Sequence, residues 1–441
     1  MAEISNIRSV KGMHDLLPAS SRVFSRIEAE MRRVFSQYGF SEIRTPVVEE
    51  TRLFSRGIGE ETDIVAKEMY TFLDRDGTSL SLRPENTASA VRAYIEHGMA
   101  VSDPVARWYY AGPMFRHERA QKGRYRQFHQ IGAEIFGISD AAADAELMHM
   151  LMDFAAAVGV SGGRLGINSL GCAACRPAYR EALKSFAVGV RERLCEDCGR
   201  RIETNPLRVL DCKKEPCRAA TENAPASADH LCADCAAHFA RLRSALDAFG
   251  DTYEVDRRMV RGLDYYNRTT FELSAAAPAE EGGDGAGLGA QNAIAGGGRY
   301  DGLVEILGGR PTPAVGFAVG LERLAMLSPW AADPLPPAVR VFVMAVGEGT
   351  LEPAAALASG LRRRGVSVEF DGSDKGFKAK FKRADKSGAV VAAIVGEDEA
   401  RRGVCAVKSM TAAMLPGGEK QAEVPVADAA AYIETVLRHE A

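Results

Sequence analysis

The stretch that most constrains this chain runs from Val105 to Phe136, where two strand-like segments flank a loop of dense positive charge. Val105–Phe115 is rich in aromatic and β-branched residues and predicts a strand interrupted at Gly112-Pro113. Ile131, Ala133 and Ile135 alternate with Gln130, Gly132, Glu134 and Phe136, the pattern of a half-buried strand. Between Arg116 and Arg126 stand five Arg/Lys and one Glu. A hairpin commits this part of the fold to antiparallel pairing. Its tip suits anions, because guanidinium forks match phosphate oxygens bidentately. On charge alone, a solvated hairpin tip explains the loop equally well. The second strand tilts the balance, since Gln130, Gly132 and Glu134 share one face. Two polar groups then flank a residue without a side chain, which leaves room for a small polar ligand on the sheet.

Around this hairpin the first 160 residues mix helical and strand signals. Val23, Ile27, Met31 and Val34 repeat at helical spacing between Ser20 and Gly39, and Pro46 falls in an extended run. A second helix is predicted from about Asp140 to Gly159, with Leu147, Met148, Leu151 and Met152 on its apolar face. Leu263–Leu273 reads as a strand carrying Tyr265, Asn267 and Thr269 on one face and Tyr266, Arg268 and Thr270 on the other. Residues 275–291 are rich in Ala and Gly and predict a mobile loop. Pro329–Pro337, with four prolines, is the clearest linker. Beyond it the pattern changes class. Val339–Val346, Val366–Phe370, Ala389–Val395 and Gly403–Met410 read as short strands, with helical stretches between the first three and a last helix over Asp428–Arg438. This is the signature of a βαβ-type α/β domain. Its segment 375–386 is strongly basic, with Lys375, Lys378, Lys380, Lys382, Arg383 and Lys386.

Eight of the nine cysteines lie between Cys172 and Cys235, where strand signals vanish until Tyr253, so this segment reads as an insertion. Cys172/Cys175, Cys195/Cys198 and Cys232/Cys235 are Cys-x2-Cys, and Cys212/Cys217 is Cys-x4-Cys. These spacings match structural zinc sites, and eight thiolates would complete two tetrahedral sites of four ligands each. Ordinary reduced thiols are the alternative, and the sequence leaves the pairing of the thiols open. No apolar core of a leader follows Met1, and no run of about 18 apolar residues spans a membrane. A cytoplasmic protein without membrane contact is expected, where thiols stay reduced or bind metal. With 441 residues the chain exceeds the roughly 250–300 that one core supports. Its net charge of -4 excludes coating of nucleic acid by bulk charge and leaves local patches to do any binding.

Phe115-Arg116-His117-Glu118-Arg119 followed by Gly123-Arg124-Tyr125-Arg126-Gln127-Phe128-His129-Gln130 resembles motif 2 of the class II aminoacyl-tRNA synthetases in its histidine-specific form. Phe40–Glu50, with Arg44-Thr45-Pro46, resembles motif 1, the dimerisation element. Arg261-Gly262-Leu263-Asp264-Tyr265-Tyr266 is similar to the signature of histidyl-tRNA synthetases. Ala314–Leu327, with Gly320-Leu321-Glu322-Arg323-Leu324, resembles motif 3, and Gly296–Gly302 adds a further histidine-type block. The resemblance spans essentially the whole chain. It implies an α+β class II catalytic domain over residues 1–330, an antiparallel sheet flanked by helices, with motif 1 near 40–50, motif 2 near 107–136 and motif 3 near 314–327. The cysteine-rich insertion would occupy 171–250, the linker 329–338 and an α/β anticodon-binding domain 339–441.

The activity so implied is ATP-dependent attachment of L-histidine to its tRNA through a histidyl-adenylate, by a homodimer. ATP with Mg2+ is the substrate complex, and a structural Zn2+ in the insertion is the expected metal. By the resemblance, Arg116 and Arg261 stabilise charge on the α-phosphate. Arg116, Glu118 and Arg323 would contact ATP. Glu85, Asn86, Thr87, Arg116, Gln130, Glu134, Arg261, Tyr265 and Tyr266 would hold histidine, with Glu134 accepting from an imidazole N–H. The family usually has Gly where Asn86 stands. A site that hydrogen-bonds its substrate rejects analogues by ~10⁴–10⁵, so no editing domain is required. The rival reading is a non-catalytic regulator of the same fold. Such relatives tend to lose the ATP-contacting arginines or the anticodon domain, whereas this chain keeps both. A second rival makes the cysteine-rich insertion a nucleic-acid module on a scaffold, which the full set of active-site motifs reduces to a secondary role.

Overall fold

The computed structural model describes residues 7–59, 62–119, 121, 123–160, 162–260, 262–275, 292–331 and 339–439. Arg261, residues 276–291 of the expected loop and residues 332–338 of the expected linker lie outside the described residues. The chain divides into two compact units, Met1–Asp333 and Pro334–Ala441.

The first unit is built on an eight-stranded sheet. In chain order its strands are β1 (Ser41–Glu42), β5 (Arg107–Phe115), β6 (Gln127–Phe136), β7 (Arg164–Ser169), β8 (Tyr253–Val255), β9 (Asn267–Ser274), β10 (Ala293–Arg299) and β11 (Ala314–Gly320). A separate three-stranded sheet comprises β2 (Val48–Glu50), β3 (Tyr70–Leu73) and β4 (Ser79–Leu82). The spatial order of the large sheet is β1-β5-β6-β11-β10-β9-β7-β8. Its inner six strands are antiparallel, and each edge carries one parallel strand, β1 on β5 and β8 on β7.

The charged hairpin forms as expected, but β5 is not interrupted. It pairs with β6 from Arg107↔Ile135 to Phe115↔Gln127, straight through Gly112-Pro113. The outer neighbour β1 has ended by then, since it pairs only with Trp108 and Tyr109. The missing proline N–H therefore removes no ladder bond. Gly112 serves a different need, because a Cβ there would lie 2.5 Å from the Arg83 guanidinium. That buried Arg83 donates to Pro113 O, Thr45 O and Thr45 Oγ1.

Strand β6 also departs from the half-buried expectation: every residue from Ile131 to Phe136 is buried. Both sheet faces are covered. On one, helix Pro18–Gln37 brings Phe35 edge-on to Tyr109, Phe154 and Phe317. On the other, Tyr94 of helix Thr87–Glu96 stacks on Phe136 at 4.5 Å. The predicted helix near 140–159 forms as Ala141–Ala157, capped by the Asp140 carboxylate accepting from Ala142 N. The predicted strand 263–273 starts only at Asn267. Residues 262–266 form a turn instead, in which the Asp264 N–H donates to Ile58 O.

In the second unit β12 (Val341–Val346), β13 (Val368–Asp371), β14 (Val391–Gly396), β15 (Val404–Ser409) and β16 (Gln421–Pro425) make a sheet of order β13-β12-β14-β15-β16. The first three are parallel, as βαβ crossovers demand. Alternate residues of β12 enter two cores, Val341, Val343 and Ala345 in one, Phe342 and Met344 in the other. The sequence reading missed β16, whose short polar run Gln421-Ala422-Glu423 lacks a strand pattern, and the helix Glu397–Arg402.

Candidate active site

A cavity of about 780 Å³ opens on the first unit where the hairpin tip, the end of β11 and the 262–266 turn converge. Part of its lining is polar. Glu85 caps helix Thr87–Glu96, accepting from Thr87 N at 2.8 Å and Ala88 N at 2.9 Å. Burial raises its carboxyl above the usual range, opposed first by those two N–H groups. Thr87 and Gln130 line the same wall, and the buried Gln130 Oε1 has no hydrogen-bond partner among the described residues. An acceptor buried without a partner beside a cavity calls for a donor. Tyr265 and Tyr266 close this part, with ring centroids 4.6 Å apart and Tyr265 edge-on to Tyr300 at 5.6 Å. Both tyrosines reach the cavity from the turn rather than from a strand face, contrary to the sequence expectation.

Another part of the lining is cationic. Arg116 donates from Nε to Pro84 O and lies over the Phe128 ring at 5.2 Å, which fixes its plane. Arg323, three residues past β11, donates to Gly123 O and Ala293 O. Burial lowers the Arg323 pKa, and the charge of Arg124 lowers it further. Arg116 adds to this, while Glu118 and Glu272 oppose it. Glu118 in turn pairs with Arg124 at 3.0 Å and faces Arg116 at 4.0 Å. Arg116, Arg124 and Arg323 gather in this part-buried cavity with Glu118 among them, and guanidinium groups so grouped suit a polyanion. Glu322 holds the hairpin against β11, accepting from His129 N at 2.9 and 3.0 Å. The sequence reading quoted Glu322, Arg124 and Tyr300 within their motifs without giving them a place, and a spacing pattern does not show which of them turn inward.

Among the described residues, two expected histidine contacts are not part of the lining. Asn86 turns toward motif 1, where its Oδ1 accepts from Thr45 Oγ1 at 2.6 Å and Arg83 at 3.0 Å. Glu134 lies under the floor, fully buried. Thr87 Oγ1 and Tyr110 OH donate to its Oε1 at 2.8 and 2.9 Å, and Tyr300 OH to its Oε2 at 2.5 Å. Burial drives its pKa up to about 8, with the three hydroxyls pulling the other way. The room expected beside Gly132 is taken by the Tyr110 phenol, which sits where a Cβ would stand.

The eight cysteines resolve into two groups. Cys172, Cys175, Cys232 and Cys235 form one, and Cys195, Cys198, Cys212 and Cys217 the other, with all four sulfurs of each within 4.8 Å. Sγ separations of 3.8 Å for Cys172–Cys175, Cys172–Cys232 and Cys175–Cys235 rule out disulfides. They match the edge of roughly 3.8 Å that a tetrahedron of zinc–sulfur bonds of about 2.3 Å would have. The Cys172 thiol is lowered to about 6, first by the Cys175 N–H, and Cys195 to about 7, first by the Cys198 N–H. Burial pushes Cys198 and Cys235 up. These groups could hold a tetrahedral thiophilic cation.

Residues 12–324 match the family model for histidyl-tRNA synthetase, and residues 340–435 match that for an anticodon binding domain. The histidine–tRNA ligase of Geobacter metallireducens is 50% identical over 407 residues, covering 92% of this chain and 95% of that protein. That of Geobacter sulfurreducens is 49% identical over 423 residues, covering 95% and 97%. Among solved structures, apo histidyl-tRNA synthetase of S. aureus superposes with a TM-score of 0.78 at 33% identity, covering 97% of this chain and all of that one.

Proposed function

Because this chain belongs to the histidyl-tRNA synthetase family and is a class II histidine–tRNA ligase, we propose that the 780 Å³ cavity is where it makes histidyl-adenylate. A carboxylate oxygen of histidine attacks the α-phosphorus of ATP, and pyrophosphate leaves. A hydroxyl of the terminal ribose of tRNA then attacks the activated carbonyl carbon, and AMP leaves. Arg116 stabilises the pentacovalent phosphorus, joined by Arg261 from the signature by family position. Arg323 and Glu118 hold the nucleotide, which arrives as its Mg2+ complex. Glu85 takes the α-amino group, while Thr87, Gln130, Tyr265 and Tyr266 surround the side chain. Glu134 and Asn86 act from below, Glu134 through the three hydroxyls it orients.

The observation that carries this reading is the unpartnered, buried Gln130 Oε1 beside the same cavity that Arg116, Arg124 and Arg323 line. Histidine-dependent ATP–pyrophosphate exchange tests it. Gln130→Ala should raise the histidine KM more than the ATP KM, and Arg323→Ala the reverse. The opposite split would reverse the assignment of the two parts.

We further propose a cytoplasmic homodimer paired through motif 1, with domain limits as the sequence implies. The second unit reads the anticodon, and Lys375, Lys378, Lys382 and Lys386 are the exposed lysines of its basic segment. Lys380 is not one of them, since it is buried and donates to Ala345 O, and Arg383 pairs with Glu369 and Asp371. Backbone phosphates would supply affinity there and unstacked bases the reading. Each thiolate group holds one structural zinc. Among the described residues no helix is long and apolar enough to cross a membrane.

A further inference from the structure

The turn that carries Tyr265 and Tyr266 is held mainly from the inserted module. Arg176, the residue after Cys175, donates to Tyr266 O. Arg208, four residues before Cys212, donates to Gly262 O at 2.8 Å. Between those two points Asn205 Nδ2 donates to the Asp264 carboxylate at 3.3 Å. Below the turn, Val260 packs on Tyr179, Leu183 and Leu210 of the module. At its far end Arg268 exchanges backbone bonds with Leu170 and Gly171, at 2.7 and 2.9 Å. Arg268 has φ +49°, and Gly171 stands against the Cys175 sulfur, 2.5 Å from where a Cβ would be. The restraints therefore begin within a few residues of the two thiolate groups. Cys212 itself lines the cavity.

We propose that the two metal sites position the signature turn for histidine, the first through Arg176 and the second through Arg208. This rests on the zinc reading above and goes beyond it. A site whose only task is to fold the module would leave amino-acid activation alone. Here the metal sets the backbone of Gly262 and Tyr266, and through it the two tyrosines of the histidine part. Arg176 and Arg208 are positioning residues, touching the turn and not the reacting atoms. Linkage requires the converse as well. If zinc tightens histidine binding, bound histidine must tighten zinc by the same factor.

Two measurements on the full-length protein test this. The first is zinc content, with the rate of zinc transfer to a chromogenic chelator, with and without saturating histidine. The second is histidine-dependent pyrophosphate exchange. Wild type should carry two zinc ions, and histidine should slow release at least about threefold. Cys212→Ser should lose one ion and raise the histidine KM about tenfold or more, with the ATP KM within about twofold. Arg208→Ala should keep both ions, raise the histidine KM in the same direction and leave histidine slowing the release of only one of them. Arg208→Lys, which retains a donor, should recover part of both. Less than about 0.2 zinc per chain in wild type would sink the zinc reading itself. Two ions whose release ignores histidine, together with Arg208→Ala at the wild-type KM, would leave that reading standing and overturn this one.

Discussion

Glu134 has no open face: three hydroxyls occupy its oxygens and strand β11 covers it through Gly316, where a Cβ would run into the carboxylate. With its pKa near 8 against an ordinary carboxylate value of 4.5, the folded protein keeps a proton that the unfolded chain releases. Its stabilising contribution is therefore full below the unfolded value and lost as pH rises through about 8. Between pH 5 and 8 this one group should steepen the fall of unfolding free energy by up to about 1.4 kcal/mol per pH unit. Glu134→Gln removes the titration, so in urea unfolding the stability of wild type relative to the variant should fall as pH rises from 5 to 8. A constant difference between them would show that Glu134 is ionised throughout. The same variant should impair histidine use more than ATP affinity, as should Tyr265→Phe. Arg261→Ala should lower adenylate formation by at least ~10²-fold, the scale for losing one preorganised cation. Near-normal exchange would remove it from the mechanism.

Single glycines decide how the elements around the site fit. Gly132 lets the Tyr110 phenol cross β6 to reach Glu134, and Gly112 admits the Arg83 guanidinium. Gly132→Ala should destabilise by about 1–3 kcal/mol, the range for overpacking a closed core, and displace Tyr110. Chemical denaturation checks the first expectation and the histidine KM the second. An unchanged midpoint would mean that Tyr110 has another rotamer available. At this scale the sequence was legible where one pattern dominated. The helix near 140–159 and the hairpin strands were predicted within a few residues. It misled where a contact distant in sequence overrode the pattern. Pro113 reads as a break, but β1 stops short of it. Tyr265-Tyr266 reads as strand, but the turn is pulled out of the sheet by its bonds to Ile58, Arg176 and Arg208.

For the molecule as a whole, the two units have separate cores, with the second built on its own five-stranded sheet. Removing residues 334–441 should therefore cripple tRNA charging while histidine-dependent pyrophosphate exchange partly survives. Unchanged charging by the shortened protein would exclude an anticodon role for the second unit. If the thiolate groups hold zinc as proposed, chelation should loosen residues 172–235 to proteolysis before the eight-stranded sheet, since metal binding then supplies part of the module's folding energy. The sequence alone was enough for the family, the order of the motifs, the change of class after Pro329 and the presence of four thiol pairs. These are local facts, carried by residue types at short spacings. It could not say that Cys172/Cys175 joins Cys232/Cys235 across 60 residues while the inner pairs join each other. Nor could it say that Asn86 faces Thr45, that Glu134 lies under the floor, or that the inserted module grips the signature turn. Each of these depends on which side chains meet after the sheet has closed and its helices have packed. Their energies come from burial and from contacts far apart in sequence, which no spacing pattern encodes.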